Sequence, residues 1–139
     1  MLVPKKVKHR KWQSMRKNPK KMGADTRGTT LAFGSFGIKS LAAYRVRSNQ
    51  LEAARKAMAH MVSKTGKIWI RIFPDMPYTA KAAEVPMGNG KGDPQGFCFQ
   101  VKPGRMIFEI DGVDEATARE ALRKAGTKLP VKTAIVSRA

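Results

Sequence analysis

The side chains in this chain that could do chemistry are cations and rings rather than acids and nucleophiles. In the stretch Gly-Lys-Ile-Trp-Ile-Arg-Ile-Phe-Pro-Asp (66–75), Lys67, Trp69, Arg71 and Phe73 alternate with Ile68, Ile70 and Ile72. A period of two puts the isoleucines on one face of a strand and the cations and rings on the other. The second face suits a partner that is negatively charged and flat, and RNA is both. Lys56, His60 and Lys64 stand at i, i+4 and i+8, with Arg55 at the edge of their face. Like charges at that spacing weaken an isolated helix, and a phosphate backbone along the face reverses the penalty. A third set fills the start of the chain: Lys5, Lys6, Lys8, His9, Arg10, Lys11, Arg16 and Lys17, with Trp12 among them. A ring set among cations is what a surface for bases and phosphates uses. Arg45 and Arg47 extend the candidate RNA-binding set.

Covalent chemistry finds no comparable footing. His9 and His60 are the only histidines, and neither neighbours a nucleophile or a carboxylate in sequence. Asp111, Asp114 and Glu115 stand where turns and a helix cap need them. Cys98 is the single cysteine, which leaves no disulfide framework and no cysteine zinc site, and fits a reducing cytosol. The run Met-Gly-Asn-Gly-Lys-Gly (87–92) lacks the Gly-Lys-Ser/Thr ending of a phosphate-binding loop and the helix that should follow it. The expectation is no enzyme, no catalytic residue, no metal and no cofactor.

Charge carries the same message. There are 28 Lys and Arg against 10 Asp and Glu, a net charge of +18 on 139 residues. Residues 1–47 hold 13 of the basic residues and a single acid, Asp25. A folded body with a basic arm is the simplest arrangement, the arm being ordered by the phosphates it touches. We place the arm at 1–28 and the body at 29–139. The length suits one domain, which would bury roughly two-thirds of its unfolded surface. No segment approaches the ~18–20 apolar residues of a membrane span. The basic start raises a transit peptide as an alternative, but Pro4, Pro19 and the lysine clusters spoil an amphipathic helix.

The elements that must position these residues follow in order. Residues 29–41 alternate loosely around Gly34 and Gly37, predicting a bent strand or bulge, with core packing favoured over a stacking role for Phe33 and Phe36. Asn49 and Glu52 form a capping-box pattern, Leu51, Ala54, Met58, Met61 and Val62 an apolar stripe, and Gly66 a left-handed stop. The alternating strand must end at Pro74, and a flexible loop rich in glycine and proline is expected over 76–96. Phe97, Phe99 and Val101, then Lys102-Pro103-Gly104-Arg105, then Met106, Phe108 and Ile110 predict a hairpin closed by a type II turn. Asp114 caps a second helix with a stripe of Ala118, Ala121, Leu122 and Ala125. Glu115–Arg119 and Glu120–Lys124 pair along it, and Gly126 closes it. Val131, Thr133 and Ile135 begin a last strand. The fold class is α+β, one domain with a mixed or antiparallel sheet and two helices.

Several stretches also resemble one family. They are Met-Leu-Val-Pro-Lys-Lys-Val-Lys-His-Arg-Lys (1–11), Phe-Gly-Ser-Phe-Gly (33–37), Asn-Gln-Leu-Glu-Ala-Ala-Arg-Lys-Ala-Met (49–58), the stretch 66–75, Met-Gly-Asn-Gly-Lys-Gly (87–92) and Lys-Leu-Pro-Val-Lys-Thr (128–133). In order and spacing they are similar to the bacterial ribosomal protein L-sixteen / L-ten-e family, over essentially the whole chain. The resemblance implies an α/β hammerhead-like fold bound to large-subunit rRNA beside the A-site and P-site tRNA. It also implies neighbouring ribosomal proteins as partners, an architectural role in late assembly, and residence in the cytoplasmic ribosome. Neither membrane attachment nor a stable homo-oligomer is expected. The basic arm and the loop residues Met87, Gly88, Asn89, Gly90, Lys91 and Gly92 would reach toward the tRNA. Members commonly carry an arginine, hydroxylated in some bacteria, just before Met-Gly; here Pro86 stands there. Asn89 replaces a frequent lysine, which leaves Lys91 as the main charge of the loop.

Overall fold

A computed structural model describes residues 1–14, 18, 21–62, 64–88 and 90–138. Its elements run β1 (Phe36–Ser40), β2 (Tyr44–Arg47), α1 (Ser48–Met61), β3 (Lys67–Ile70), β4 (Met76–Ala80), β5 (Asp93–Val101), β6 (Met106–Asp111), α2 (Glu115–Lys128) and β7 (Thr133–Ser137). One sheet has the order β3-β6-β1-β7 and the other β2-β5-β4, and every pairing is antiparallel. The expected α+β class and two helices are present. The alternating stretch at 66–75 supplies an edge strand, β3, which ends at Ile70. The next N–H, of Arg71, still bonds the Ile107 carbonyl at 2.9 Å.

The helices pack side by side, α2 against β1 and β7, and α1 against β2 and β5. The core between them includes Ile38, Val46, Leu51, Met58, Ile72, Val101, Phe108, Ile110 and Leu122, all buried. The α2 stripe is buried as expected: Ala118, Ala121, Leu122 and Ala125. Small alanines let the helices approach closely, which is why this stripe carries only one large side chain.

Helix ends depart from expectation. Strand β2 runs into α1 with no loop between them, so Arg47 becomes the N-terminal cap, and its N–H donates to Gln50 Oε1 at 2.9 Å. Glu52, expected to close a box with Asn49, instead pairs with Arg55 at 2.5 Å. Gly66 is not in the left-handed region. It is glycine because a Cβ there would stand 2.0 Å from Val62 Cγ1. Gly126 lies inside α2 rather than beyond it, where a Cβ would meet Thr133 Oγ1 at 2.8 Å and Ile38 Cδ1 at 3.3 Å. Both glycines serve close packing rather than termination. Asp114 stands at the N-terminal cap position of α2, where its carbonyl accepts the Ala118 N–H at 2.9 Å, and Glu115 pairs with Arg119 at 2.9 Å. Glu120 pairs with Arg123 at 2.7 Å, not with Lys124.

The largest correction concerns the hairpin. The type II turn forms, with Gly104 at φ +96° and Arg105 N–H on Lys102 O at 3.2 Å, yet β5 and β6 belong to different sheets. The end of β1 enters between them: Gly104 N–H donates to Ser40 O at 2.8 Å, and Ser40 N–H to Arg105 O at 2.9 Å. Strand β5 pairs with β4 instead, so the hairpin of the structure carries the Gly/Pro loop at its tip. Strand β4 and the start of β5 occupy the two ends of the expected loop, leaving 81–92 between strands.

Candidate nucleic-acid interface

Cross-strand register places Trp69 opposite Glu109, and Glu109 opposite Gly37, on one face of the four-stranded sheet. Residues 25–35 are bound to this sheet and to the turn that precedes β6. Asp25 N–H donates to Pro103 O at 2.9 Å, Met106 N–H to Gly28 O at 2.8 Å, and Leu31 lies where a Cβ on Gly37 would be. The expected arm of 1–28 is therefore tied down at its last residues.

Glu109 holds this segment. Its Oε1 accepts the successive N–H groups of Ala32, Phe33 and Gly34 at 2.9, 3.0 and 3.1 Å, and its Oε2 accepts Arg71 Nη1 at 2.6 Å. The carboxylate is 0% exposed. Burial pushes its pKa up, but the hydrogen bonds from Gly34, Arg71, Phe33 and Ala32 outweigh burial and hold it below the ordinary carboxylate range. Gly34 is required for this approach, since a Cβ would stand 2.6 Å from the Ile110 carbonyl oxygen.

Sequence reasoning assigned the acids of this region to turns and caps and missed Glu109. The signal was a lone carboxylate inside the apolar run Met106–Ile110, which a fully buried strand accepts only when the charge is satisfied.

Phe33, expected in the core, lies 57% exposed. Its ring stacks on Trp69, with centroids 5.9 Å apart and planes at 19°, and Arg71 lies 5.5 Å from its centroid. Trp69 therefore packs beneath the segment that follows the arm, and Lys67 stands 5.7 Å over its ring. Arg71 also donates to Thr30 O at 3.1 Å and is only 18% exposed. Its place in the alternation of residues 66–75 suggests a phosphate contact, but its charge is spent on Glu109. Lys67 remains exposed.

The other candidates fall in three places. Lys5, Lys6, Lys8, His9 and Arg10 are exposed, as is Trp12; Arg16, Lys17 and Asn89 lie outside the described residues. Lys11 Nζ donates to Lys91 O at 3.4 Å, and Lys91 Nζ donates to Trp12 O, so the arm and the loop tip meet. In that loop Met87 is 94% exposed, Gly88 and Gly90 take φ of +106° and +103°, and Gly92 closes against Ala80. Lys56 and His60 share the exposed side of α1, whereas Lys64 lies in the turn beyond its end and Arg55 is taken by Glu52. Of the expected face, Lys56 and His60 remain together on the helix. Arg45 and Arg47 lie exposed on β2, with Arg47 4.9 Å from the centroid of Tyr78 on β4.

Among the described residues, no group of His, Cys, Asp and Glu is placed to hold a metal ion, and no helix is long and apolar enough to cross a membrane. Exposed cations, exposed rings and a long loop presenting its backbone are equipped for phosphate and base contacts. A family model described as ribosomal protein L16p/L10e matches residues 4–136.

Proposed function

The chain belongs to the L16p/L10e family of ribosomal proteins, and from that premise we propose that it binds large-subunit rRNA beside the A-site and P-site tRNA, supporting subunit assembly and tRNA positioning. Membership makes it a structural protein of the large ribosomal subunit. The finer reading is supported by one observation above the others: the arm, the adjoining loop tip and β2 present the exposed cations Lys5, Lys6, Lys8, Arg10, Lys91, Arg45 and Arg47, while five of the ten acids are paired with cations elsewhere. The proposed rRNA-binding set is Lys5, Lys6, Lys8, His9, Arg10, Lys11, Trp12, Arg45, Arg47, Lys56, His60, Lys64 and Lys67, with Arg16 and Lys17 in the arm. Arg55 and Arg71 stay in the set only at its border, since each is already paired with a glutamate. The loop at 87–92 is proposed to lie against tRNA, and neighbouring ribosomal proteins and residence in the cytoplasmic ribosome follow from the same reading.

Neutralising on the order of ten phosphates gives a log K that falls with log salt at a slope of roughly −7 to −9. Such contacts position a protein without reading sequence, so specificity must come from the fit of the body to RNA shape. The test is the salt slope of binding to large-subunit rRNA with and without residues 1–21. A fall in slope by several units is expected; an unchanged slope would remove the arm as the main electrostatic anchor.

A further inference from the structure

Among the described residues, Phe33 is the one ring that is more than half exposed and also stacked on a second ring. Over half of it remains open although Trp69 and Arg71 already lie against it. A hydrophobic side chain of this size gains by burial, and an exposed one seated on a layered pair of rings offers a partner a flat, polarised surface. Its placement is also rigid. The Phe33 N–H is the middle of three that donate to the buried Glu109 carboxylate, and Gly34 is pressed against the Ile110 carbonyl. A platform held in place by its backbone pays little ordering entropy when a partner lands on it.

Cations flank the platform without covering it. Lys67 stands over Trp69 and is exposed. Arg138, which follows β7 at the sheet edge opposite β3, donates its backbone N–H to Ser35 O at 2.8 Å and its Nη2 to Leu31 O at 3.4 Å, which places a guanidinium beside the segment that carries Phe33. Rings between two cations suit a base with a phosphate on each side.

We propose that the exposed face of Phe33, backed by Trp69 and positioned by Glu109, seats one unpaired nucleobase of RNA, with Lys67 and Arg138 meeting the flanking phosphates. This rests on the RNA-binding reading above and assigns it a base contact at a ring outside the set named there. Arg71 is a positioning residue here, since its charge is committed to Glu109. The seat accepts any base, because every base offers a π-face.

The experiment uses the full chain carrying Trp12→Leu, which removes the arm ring and leaves Trp69 as the single tryptophan. Two single-stranded probes with equal numbers of phosphates are titrated: an adenine ribo-dodecamer and its abasic counterpart. The adenine probe is expected to bind roughly 5- to 100-fold tighter, the range of one stacked base, and to change Trp69 emission. The abasic probe should bind with the same salt slope and leave the emission unchanged. Phe33→Leu should abolish the difference between probes while leaving abasic affinity intact, and Phe33→Tyr should preserve it. Equal affinity for both probes in the parent chain, or a difference that survives Phe33→Leu, overturns the proposal and leaves RNA binding standing. If neither probe binds at low salt and large-subunit rRNA does not bind either, the RNA-binding reading itself falls.

Discussion

Arg71 and Glu109 meet at 2.6 Å at the edge of the four-stranded sheet, and the carboxylate of this pair is wholly buried. The contact withdraws a cation from the surface that its strand position assigned to RNA. It also fixes a segment from the other end of the chain, because the second carboxylate oxygen accepts three backbone N–H groups from residues 32–34. Removing one partner of a buried pair leaves the other uncompensated, which is costlier than never having built the pair.

Glu109→Ala is therefore expected to destabilise the fold by about 3–5 kcal/mol, read as a shift in the urea midpoint. Glu109→Gln keeps an acceptor oxygen for the three N–H groups and should lose less. Equal losses in the two variants would show that the backbone donors contribute nothing.

Acid should erase the advantage of the native residue over Glu109→Gln. The Glu109 pKa is lowered in the folded state, with burial opposed and overcome by the bonds from Gly34, Arg71, Phe33 and Ala32. A lowered folded pKa contributes stability that is present above the unfolded value of about 4.3 and is lost as pH falls through the folded value. The stability difference between the two proteins should be full near neutrality and shrink steadily below about pH 4.5. A difference that stays constant down to pH 3 would contradict the assignment.

Lys67 and Arg71 sit four residues apart on one face of the alternating stretch 66–75 and should separate cleanly by assay. Lys67→Gln is expected to lower the salt slope of rRNA binding by about one, with stability changed by less than about 0.5 kcal/mol. Arg71→Gln should lower the urea midpoint and barely move the slope. The reverse pattern would mean that the pair with Glu109 opens when RNA binds.

Gly126→Ala tests whether packing overrides helix propensity. Alanine gains about 1 kcal/mol in a helix interior, but its Cβ would stand 2.8 Å from Thr133 Oγ1. Overpacking of this kind costs about 1–3 kcal/mol, so a net loss is expected by thermal unfolding. In a Thr133→Ala background the obstructing oxygen is gone, and the same change should become neutral or stabilising.

Cys98 should behave as a buried reporter. Burial pushes its thiol pKa up, opposed by Arg45 and Arg47, and its side chain is fully enclosed in β5. A thiol reagent is expected to react at the rate of opening, accelerating in urea in step with unfolding. Rapid labelling of the native protein would place the cysteine at a surface.

Much was legible in the chain before any coordinates, for local reasons. The apolar stripes of both helices, the turn at Pro103-Gly104 and the alternation of β3 depend on residues within a few positions of one another, where spacing alone decides which side chains share a face. The net charge of +18 and its concentration at the start pointed to a polyanion without reference to any fold. Tertiary structure decided what alternation cannot: which strand neighbours which, and which polar groups are buried. The apparent hairpin of β5 and β6 came apart because Ser40, more than sixty positions away, supplied better backbone partners at the turn. Gly66 and Gly126 read as helix stops because spacing carries no record of the side chains that press on them. Phe33 and Arg71 exchanged their expected places, the ring outward and the cation inward, because a single buried carboxylate at position 109 requires a counter-charge and three N–H donors. That requirement is long-range, set by the low dielectric of the interior, and it becomes visible only when residues 32, 71 and 109 are brought together.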